Sequence, residues 1–568
     1  MIKKGIVENL FDVALGKSPP SIAIENVSVF NSFSGEFIED QLILIKDDRF
    51  AYVGEYFDYP KAKDTEIIDY HGYTAIPGLI DSHTHIMFRS GLREFIRHVI
   101  PTGVTTVITE TMELAFISGI EGIRYLVKPF KDQPINMFYT VPPVCGLTEE
   151  EERKAGNAQE LREFLKDPYC LGMGEAYWGN LFAGGTQSKR IKDLADLTHI
   201  FNKRIEGHTA GAKGQKLQAY TLLGVSSCHE PITEKEVIER LRLGYWVMIR
   251  DGAIRRELEG VADIFKNDID LRRLILTTDG VDPQGFMEEG YLDFALKRLI
   301  SFGVPLNIAY KMVTLNPAEH FHLDDLFGAI APFRMADLVL IPSPRDYDPT
   351  LVICRGKKIY EDGEVLVEPI EAQYPEYMFH SVDLKDIEEI PDRPSGRVRV
   401  MEQITRLVTT EGFYDSDDKD LNMILAIDRI GGKGRFLGFV KDYGLQRGAC
   451  GSTMCWDTCD CIVVGADKIS MITVLRRLKE IQGGAVFAIG ENVVSEFKAE
   501  VCGVISLKPM EEIYQSIKAL EDTLRVNGVL WERPLLTIDV MGTAAIPHLR
   551  ITHRGYVRMR DRKLLGLY

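Results

Sequence analysis

The sequence predicts an α/β protein built on a (β/α)8 barrel, with a small β domain assembled from both flanks and a separate C-terminal α+β domain. Two textures predict it. From about residue 73, apolar strand-like runs alternate with segments whose apolar residues fall at helical spacing, and hairpin texture brackets that region on both sides. The chain has 568 residues, 45% hydrophobic and 27% charged, more than one compact core absorbs, so two or three domains are expected.

Residues 21 to 70 carry short β-branched and aromatic runs cut by Gly, Asp and Asn, as in "SIAIENVSVFNSFSGEFIEDQLILIKDDRFAYVGE", the pattern of antiparallel strands. The strand candidates that follow are "YTAIPGLID", "GVTTVITE", "INMFYTVPPV", "CLGMGEAY", "IEGHT", "GVSSCHE", "YWVMIRDG" and "LILTTDG". Helix candidates such as "GIRYLVKPFKD", "AQELREFLKD", "KRIKDLADLTHIFNKR" and "EKEVIERLRLG" separate them. Eight βα units in roughly 200 residues is a barrel repeat, with reactive groups at the C-terminal strand ends. A doubly wound open sheet has the same alternation, so periodicity leaves both open. After "NIAYKMVTLNPAEHFHL", the stretch "ADLVLIPSPRDYDPTLVICRGKKIYEDGEVLV" returns to hairpin texture, "EEIPDRPSGRVRV" reads as a linker or extended arm, and the remainder mixes strands with helices. The expected boundaries are 1–70 for the first part of the small β-sandwich domain and 71–325 for the barrel. Its second part with the linker spans 326–394, and the C-terminal domain 395–568.

Lys plus Arg total 67 against 84 Asp plus Glu, a net charge of -17 that repels polyanions, so nucleic acid is excluded as a partner. The N-terminal stretch lacks a continuous apolar segment and a small-residue cleavage site, and no run of 18 uncharged apolar residues occurs. A cytoplasmic protein without a membrane partner is expected. Nine cysteines, an odd number, argue for reduced thiols.

In "YTAIPGLIDSHTHI", alternate residues of a strand share a side, so His83 and His85 project two imidazoles together, a pair suited to first-row divalent metals. Glu175 in "GMGEAY", His208 in "EGHTAG", His229 in "SSCHE" and Asp279 in "TTDG" each lie near a strand end and before Gly or a loop. Together these six can hold two metals with a bridging ligand, and Glu175 suits the bridge because each oxygen can take one metal.

"PGLIDSHTHI" with "GHTAG", "SSCHE" and the Asp of "TTDG" resembles the amidohydrolase superfamily and, within it, the adenine deaminases, which also carry a Glu on the fourth barrel strand. "FLGFVKDYGLQRGACGSTMCWDTCDCIVVG" and "LKEIQGGAVFAIG" resemble the C-terminal domain of those deaminases, so the likeness covers essentially the whole chain. It implies that His83 and His85 hold one metal with Asp279, that His208 and His229 hold the other, and that Glu175 bridges. It further implies manganese or iron, with zinc as an alternative, and a purine base as substrate in purine salvage. A homodimer is expected by analogy. Asp279 would accept a proton from the attacking water and pass it to the departing amine. A ring nitrogen must also be protonated, which asks for a carboxyl of raised pKa; Glu230 is the candidate, provided the chain turns after His229. The chain departs from the family at Met87, where an acid is usual, at Cys228, where Asp is common, and in the C-terminal domain, where a His-Asp-Ser-His run is replaced by Trp456, Asp457, Thr458 and Cys459. These changes bear on the substrate, leaving N6-methyladenine beside adenine. A cyclic amide hydrolase and a non-catalytic purine-binding protein are the rival readings.

Other features read as structural. Cys450, Cys455, Cys459 and Cys461 lack paired C-x2-C knuckles and read as buried thiols, as does Cys228. The glycines around Lys433 lack the order of a phosphate-binding loop. His98, His199, His320 and His322 lie away from strand ends and read as packing or surface histidines, whereas Trp178 is placed where it could stack on a flat base.

Overall fold

The structure, a computed structural model, describes residues 6–143, 146–147, 156–431 and 434–568, so Lys433 lies outside the described residues. All eight barrel strands are present. Leu79–Thr84, Val104–Thr109, Asn136–Val141, Cys170–Tyr177 and Arg204–His208 form one parallel sheet, and Ser227–Cys228, Trp246–Arg250 and Leu274–Thr277 a second. The amide of Ser226 joins them by donating to the Ile205 carbonyl at 2.9 Å.

The other seam closes through side chains. Asp81 is fully buried, accepting from the Thr277 hydroxyl at 2.6 Å and the Thr278 hydroxyl at 2.6 Å. Thr277 Oγ1 also accepts from the His83 amide at 3.0 Å, and the Asp279 amide donates to the His83 carbonyl at 3.1 Å. The acid of "IDSHTHI" thus latches the last strand to the first and sets Asp279 beside His83. The curled sheet resolves the open alternative in favour of the barrel.

"YTAIPGLIDSHTHI" is not one strand. Thr74–Pro77 pairs antiparallel with Leu338–Ile341, in a nine-stranded sheet drawn from both flanks of the barrel, and the barrel strand begins only at Leu79. Gly78 is the crossing point: a Cβ there would fall 2.1 Å from Thr105 Oγ1, so the two sheets approach too closely for any other residue. The nine-stranded sheet buries Ile24, Ile43, Leu338 and Ile353 on one face. Leu10 and Val13 of the helix Ile6–Ala14 pack with Leu42 and Leu44 in a separate cluster.

In the C-terminal domain an eight-stranded sheet is sandwiched between two helices. Lys468–Ile481 buries Met471, Val474, Leu475 and Leu478 in one core, and Met510–Val526 buries Ile513, Ile517, Leu520 and Leu524 in another. The polar stretch before it is an extended arm held by Val382, Leu384 and Ile390, which enter the first of these cores. Among the described residues, no helix is long and apolar enough to cross a membrane.

This domain roofs the barrel mouth. Arg89–Ser90 pairs with Ile505–Ser506, and the fully buried Arg89 guanidinium contacts Asp282 at 3.1 Å and Asp539 at 2.7 Å, while Arg533 also bonds Asp282. Such buried pairs fix orientation more than they add stability, because desolvation offsets much of the attraction.

The barrel latch makes a prediction. Thr277→Val removes the hydroxyl that joins Asp81 and His83, and is expected to cost roughly 1–3 kcal/mol, read as a lowered denaturant midpoint; Thr277→Ser should recover most of the loss.

Candidate metal centre

The strand ends bring all six sequence-identified side chains together. His83 and Glu175 lie in strands, His208 ends one, His229 follows Ser227–Cys228 directly, and Asp279 lies two residues beyond Thr277. Asp279 has a φ of 55°, a conformation uncommon outside glycine, and Gly280 follows it. Donor atoms within 4.8 Å of one another define two sets that share Glu175: His83, His85 and Glu175, and Glu175, His208 and His229; a third set is His83, His229 and Asp279.

Glu175 lies between the two sides. Its Oε1 is 3.5 Å from His85 Nε2, and its Oε2 is 2.8 Å from His208 Nδ1 and 3.2 Å from His229 Nε2. Asp279 Oδ1 is 3.2 Å from His83 Nε2 and 3.4 Å from His85 Nε2. All six residues are buried, at 2–6% exposure, so the donors are shielded from bulk water.

The electrostatics follow from that burial. Burial and the neighbouring His229 lower the pKa of His83, favouring the neutral imidazole that ligates metals. For Glu175, burial pushes upward but His208 and His229 outweigh it, holding the carboxyl well below the usual range. For Asp279, burial likewise opposes, and Arg250 together with His83 and His85 keeps the carboxyl ionised.

The donor set fits a divalent cation on an independent ground. Among the described residues, His83 Nε2 and His208 Nε2 are buried and make no well-aligned hydrogen bond, their nearby acceptors being Asp279 Oδ1 at 3.2 Å and Glu230 Oε2 at 3.3 Å, although buried polar atoms are normally satisfied. Behind His85, Glu113 Oε1 sits 2.5 Å from Nδ1, leaving Nε2 toward Asp279 and Glu175, a carboxylate–imidazole arrangement that orients a ligand.

Two further charged groups join the site: Arg250, which the sequence does not single out, and Asp457, which the sequence offers only as one member of the altered C-terminal run. Arg250, at the end of the seventh barrel strand, is buried and donates to Glu230 and Asp279 at 2.9 Å each and to Glu257 at 2.8 Å and 3.0 Å. Its place at a strand end was the available signal. Asp457 comes from the C-terminal domain, where no barrel periodicity points to it, and lines the same pocket as the clustered histidines and carboxylates, with Trp456.

Glu230 satisfies the geometric condition set for it and fails the electrostatic one. The strand stops at Cys228, and His229 and Glu230 both line the pocket, with Glu230 Oε1 2.9 Å from His229 Nε2. Burial alone would raise its pKa, but Arg250, His208 and His229 overcome that and hold it far below the usual range. That direction is opposite to the raised pKa expected of the acid. Carboxyls near the site that burial raises include Glu110, to about 8 with Glu175 adding to the effect, Glu257 beside Arg250, and Asp457, to about 6; Asp457 is the one that lines the pocket.

The remaining features stay structural. Cys450 and Cys455 enter one core, Cys461 another and Cys459 the barrel core, so the four thiols are dispersed; Cys228 is buried. His320 is buried against Glu206 at 2.8 Å, while His98 and His199 bond backbone carbonyls. The Trp178 indole donates to the Ala210 carbonyl, and the tryptophan that lines the pocket is Trp456.

The amidohydrolase family model matches residues 74–359, and the adenine deaminase C-terminal domain model matches residues 399–563. The chain is 31% identical to adenine deaminase 2 of Carboxydothermus hydrogenoformans, over 97% of this chain and 97% of that one. It is 29% identical to adenine deaminase of Cenarchaeum symbiosum, over 98% of this chain and 94% of the relative. Among solved structures, a beta-aspartyl dipeptidase from Fervidobacterium islandicum aligns with a TM-score of 0.47 and 19% identity, covering 61% of this chain and 97% of that one.

Arg250 lowers the Asp279 pKa, so removing its charge raises it, and the ionised carboxylate is then lost at a higher pH. Arg250→Met is expected to move the acid limb of the kcat/KM profile upward by on the order of one unit or more, as seen in rates measured from pH 3 to 8.

Proposed function

The chain belongs to the adenine deaminase family of the amidohydrolases, and from that premise we propose that it hydrolyses adenine to hypoxanthine and ammonia at the mouth of its barrel. The observation that carries the reading is Glu175 lying within 3.5 Å of histidine nitrogens on both of its oxygens.

His83, His85 and Asp279 would hold one divalent cation and His208 and His229 a second, with Glu175 shared between them. When bound, such cations lower the pKa of water and stabilise developing negative charge. Manganese or iron is the preferred metal and zinc the alternative; imidazole and carboxylate donors in this mixture support that choice.

Asp279 accepts the proton that the attacking water releases as C6 becomes tetrahedral and delivers it to the exocyclic amine as the C–N bond breaks, while the proton of the hydroxyl left on C6 passes to the ring nitrogen to complete hypoxanthine. Arg250 keeps Asp279 ionised before the attack and holds Glu230 beside His208 and His229. The C-terminal domain supplies the pocket roof, including Trp456, whose ring lies 5.3 Å from that of His85, and Phe88 packs 5.2 Å from Trp456. That apolar wall suits a flat base and limits water around it. The reading extends to cytoplasmic purine salvage by a homodimer, without nucleic-acid or membrane partners; the net charge of -17 supports the exclusion of nucleic acid.

The test is ammonia release by manganese-reconstituted protein from adenine, N6-methyladenine and cyclic imides. Turnover of adenine is expected; turnover of cyclic imides alone overturns the reading. Asp279→Asn should lower kcat by about 10²- to 10⁴-fold while hypoxanthine binding, followed by calorimetry, stays within about threefold of wild type.

A further inference from the structure

The roof of the pocket carries a carboxylate that neither the metal-binding residues nor the proton transfer uses. Asp457 follows Trp456, whose ring packs against His85, so this loop lies over the floor of the site. Its φ of 57° places it in the left-handed region, a conformation that persists in a non-glycine residue when its surroundings over-determine it. Those surroundings are two hydroxyl donors. Oδ2 accepts from Tyr177, at the end of the fourth barrel strand, at 3.2 Å, and from Thr543, in the segment before the C-terminal hairpin.

The second oxygen is treated differently. Asp457 is only 6% exposed, yet among the described residues no donor bonds Oδ1, and the residue lines the pocket. A pocket-lining carboxylate oxygen that no protein donor engages can accept a hydrogen bond from a ligand N–H. With the carbon under attack at the floor, a purine turns its far edge to the roof. On that edge a free base presents an imidazole N–H, the one group that a nucleoside replaces with a glycosidic bond.

We propose that Asp457 is a specificity-determining residue that accepts a hydrogen bond from the imidazole N–H of a free purine base through Oδ1, so that the pocket selects the base over N9-substituted purines. This rests on the adenine deaminase reading for the orientation of the base. Burial lifts the Asp457 carboxyl only to about 6, which leaves it an acceptor at neutral pH. Trp456 covers the ring face while Asp457 reads its edge, and both come from one loop held by Tyr177 and Thr543.

The experiment is calorimetric titration of the full-length, manganese-loaded protein with hypoxanthine and with 9-methylhypoxanthine, for wild type, Asp457→Ala and the isosteric Asp457→Asn. Wild type is expected to prefer hypoxanthine. Asp457→Ala should weaken hypoxanthine about 10- to 100-fold and leave 9-methylhypoxanthine within about twofold, so that the preference collapses. If the alanine variant does not fold, as judged by circular dichroism, Asp457→Asn carries the test, with a smaller loss in the same direction. Equal weakening of both ligands marks a merely structural role and overturns the proposal, as does an unchanged preference or a wild type that binds both equally or neither. Failure of the wild type to release ammonia from adenine overturns the deaminase reading separately, because the ligand preference is read from binding.

Discussion

The structure depends on charge balance among buried groups at the strand ends. Four imidazoles, Glu175, Asp279 and Glu230 crowd a volume shielded from bulk water, where an isolated charge would be strongly disfavoured. Arg250 offsets Asp279 and Glu230 directly, and the histidines offset Glu175. Among the described residues, two histidine nitrogens that face carboxylates make no well-aligned hydrogen bond, which is the capacity a cation would complete. The barrel supplies what this balance requires: eight parallel strands end at one mouth, and the Asp81 latch to Thr277 and Thr278 closes the seam on which His83 and Asp279 meet.

The C-terminal domain is part of the site rather than an appendage. Arg89, four residues beyond His85, is held between Asp282 of the barrel and Asp539 of that domain, so the loop carrying Met87 and Phe88 and the roof carrying Trp456 are positioned together. One pocket is thus lined both by strand ends of the barrel and by a C-terminal loop whose Asp457 bonds Tyr177 across 280 residues of sequence.

Much of this was legible in the sequence, for physical reasons. A period of two placed His83 and His85 on one side, and the strand-then-loop pattern placed Glu175, His208, His229 and Asp279 at strand ends, which a barrel makes converge. The two-residue sixth strand was findable from its place in the alternation, with "SSCHE" putting a histidine directly after it and before a proline. Other features depend on distant partners and left no local trace. Gly78 divides one apolar run between two sheets because Thr105 lies against it. Glu230 could be placed in the pocket from its neighbour, but its ionisation is decided by Arg250, twenty residues away. Asp457 was noted as part of a motif, yet its contact with Tyr177 joins two domains whose docking no periodicity encodes.

The most direct measurement is an anomalous-scattering crystal structure of the manganese-reconstituted protein, paired with metal analysis of wild type and Glu175→Ala. The account predicts two ions per chain, roughly 3.5 to 4 Å apart with Glu175 between them, and loss of at least one ion in the variant. A single ion remote from Glu175, or two ions retained at full occupancy without its carboxylate, would contradict it.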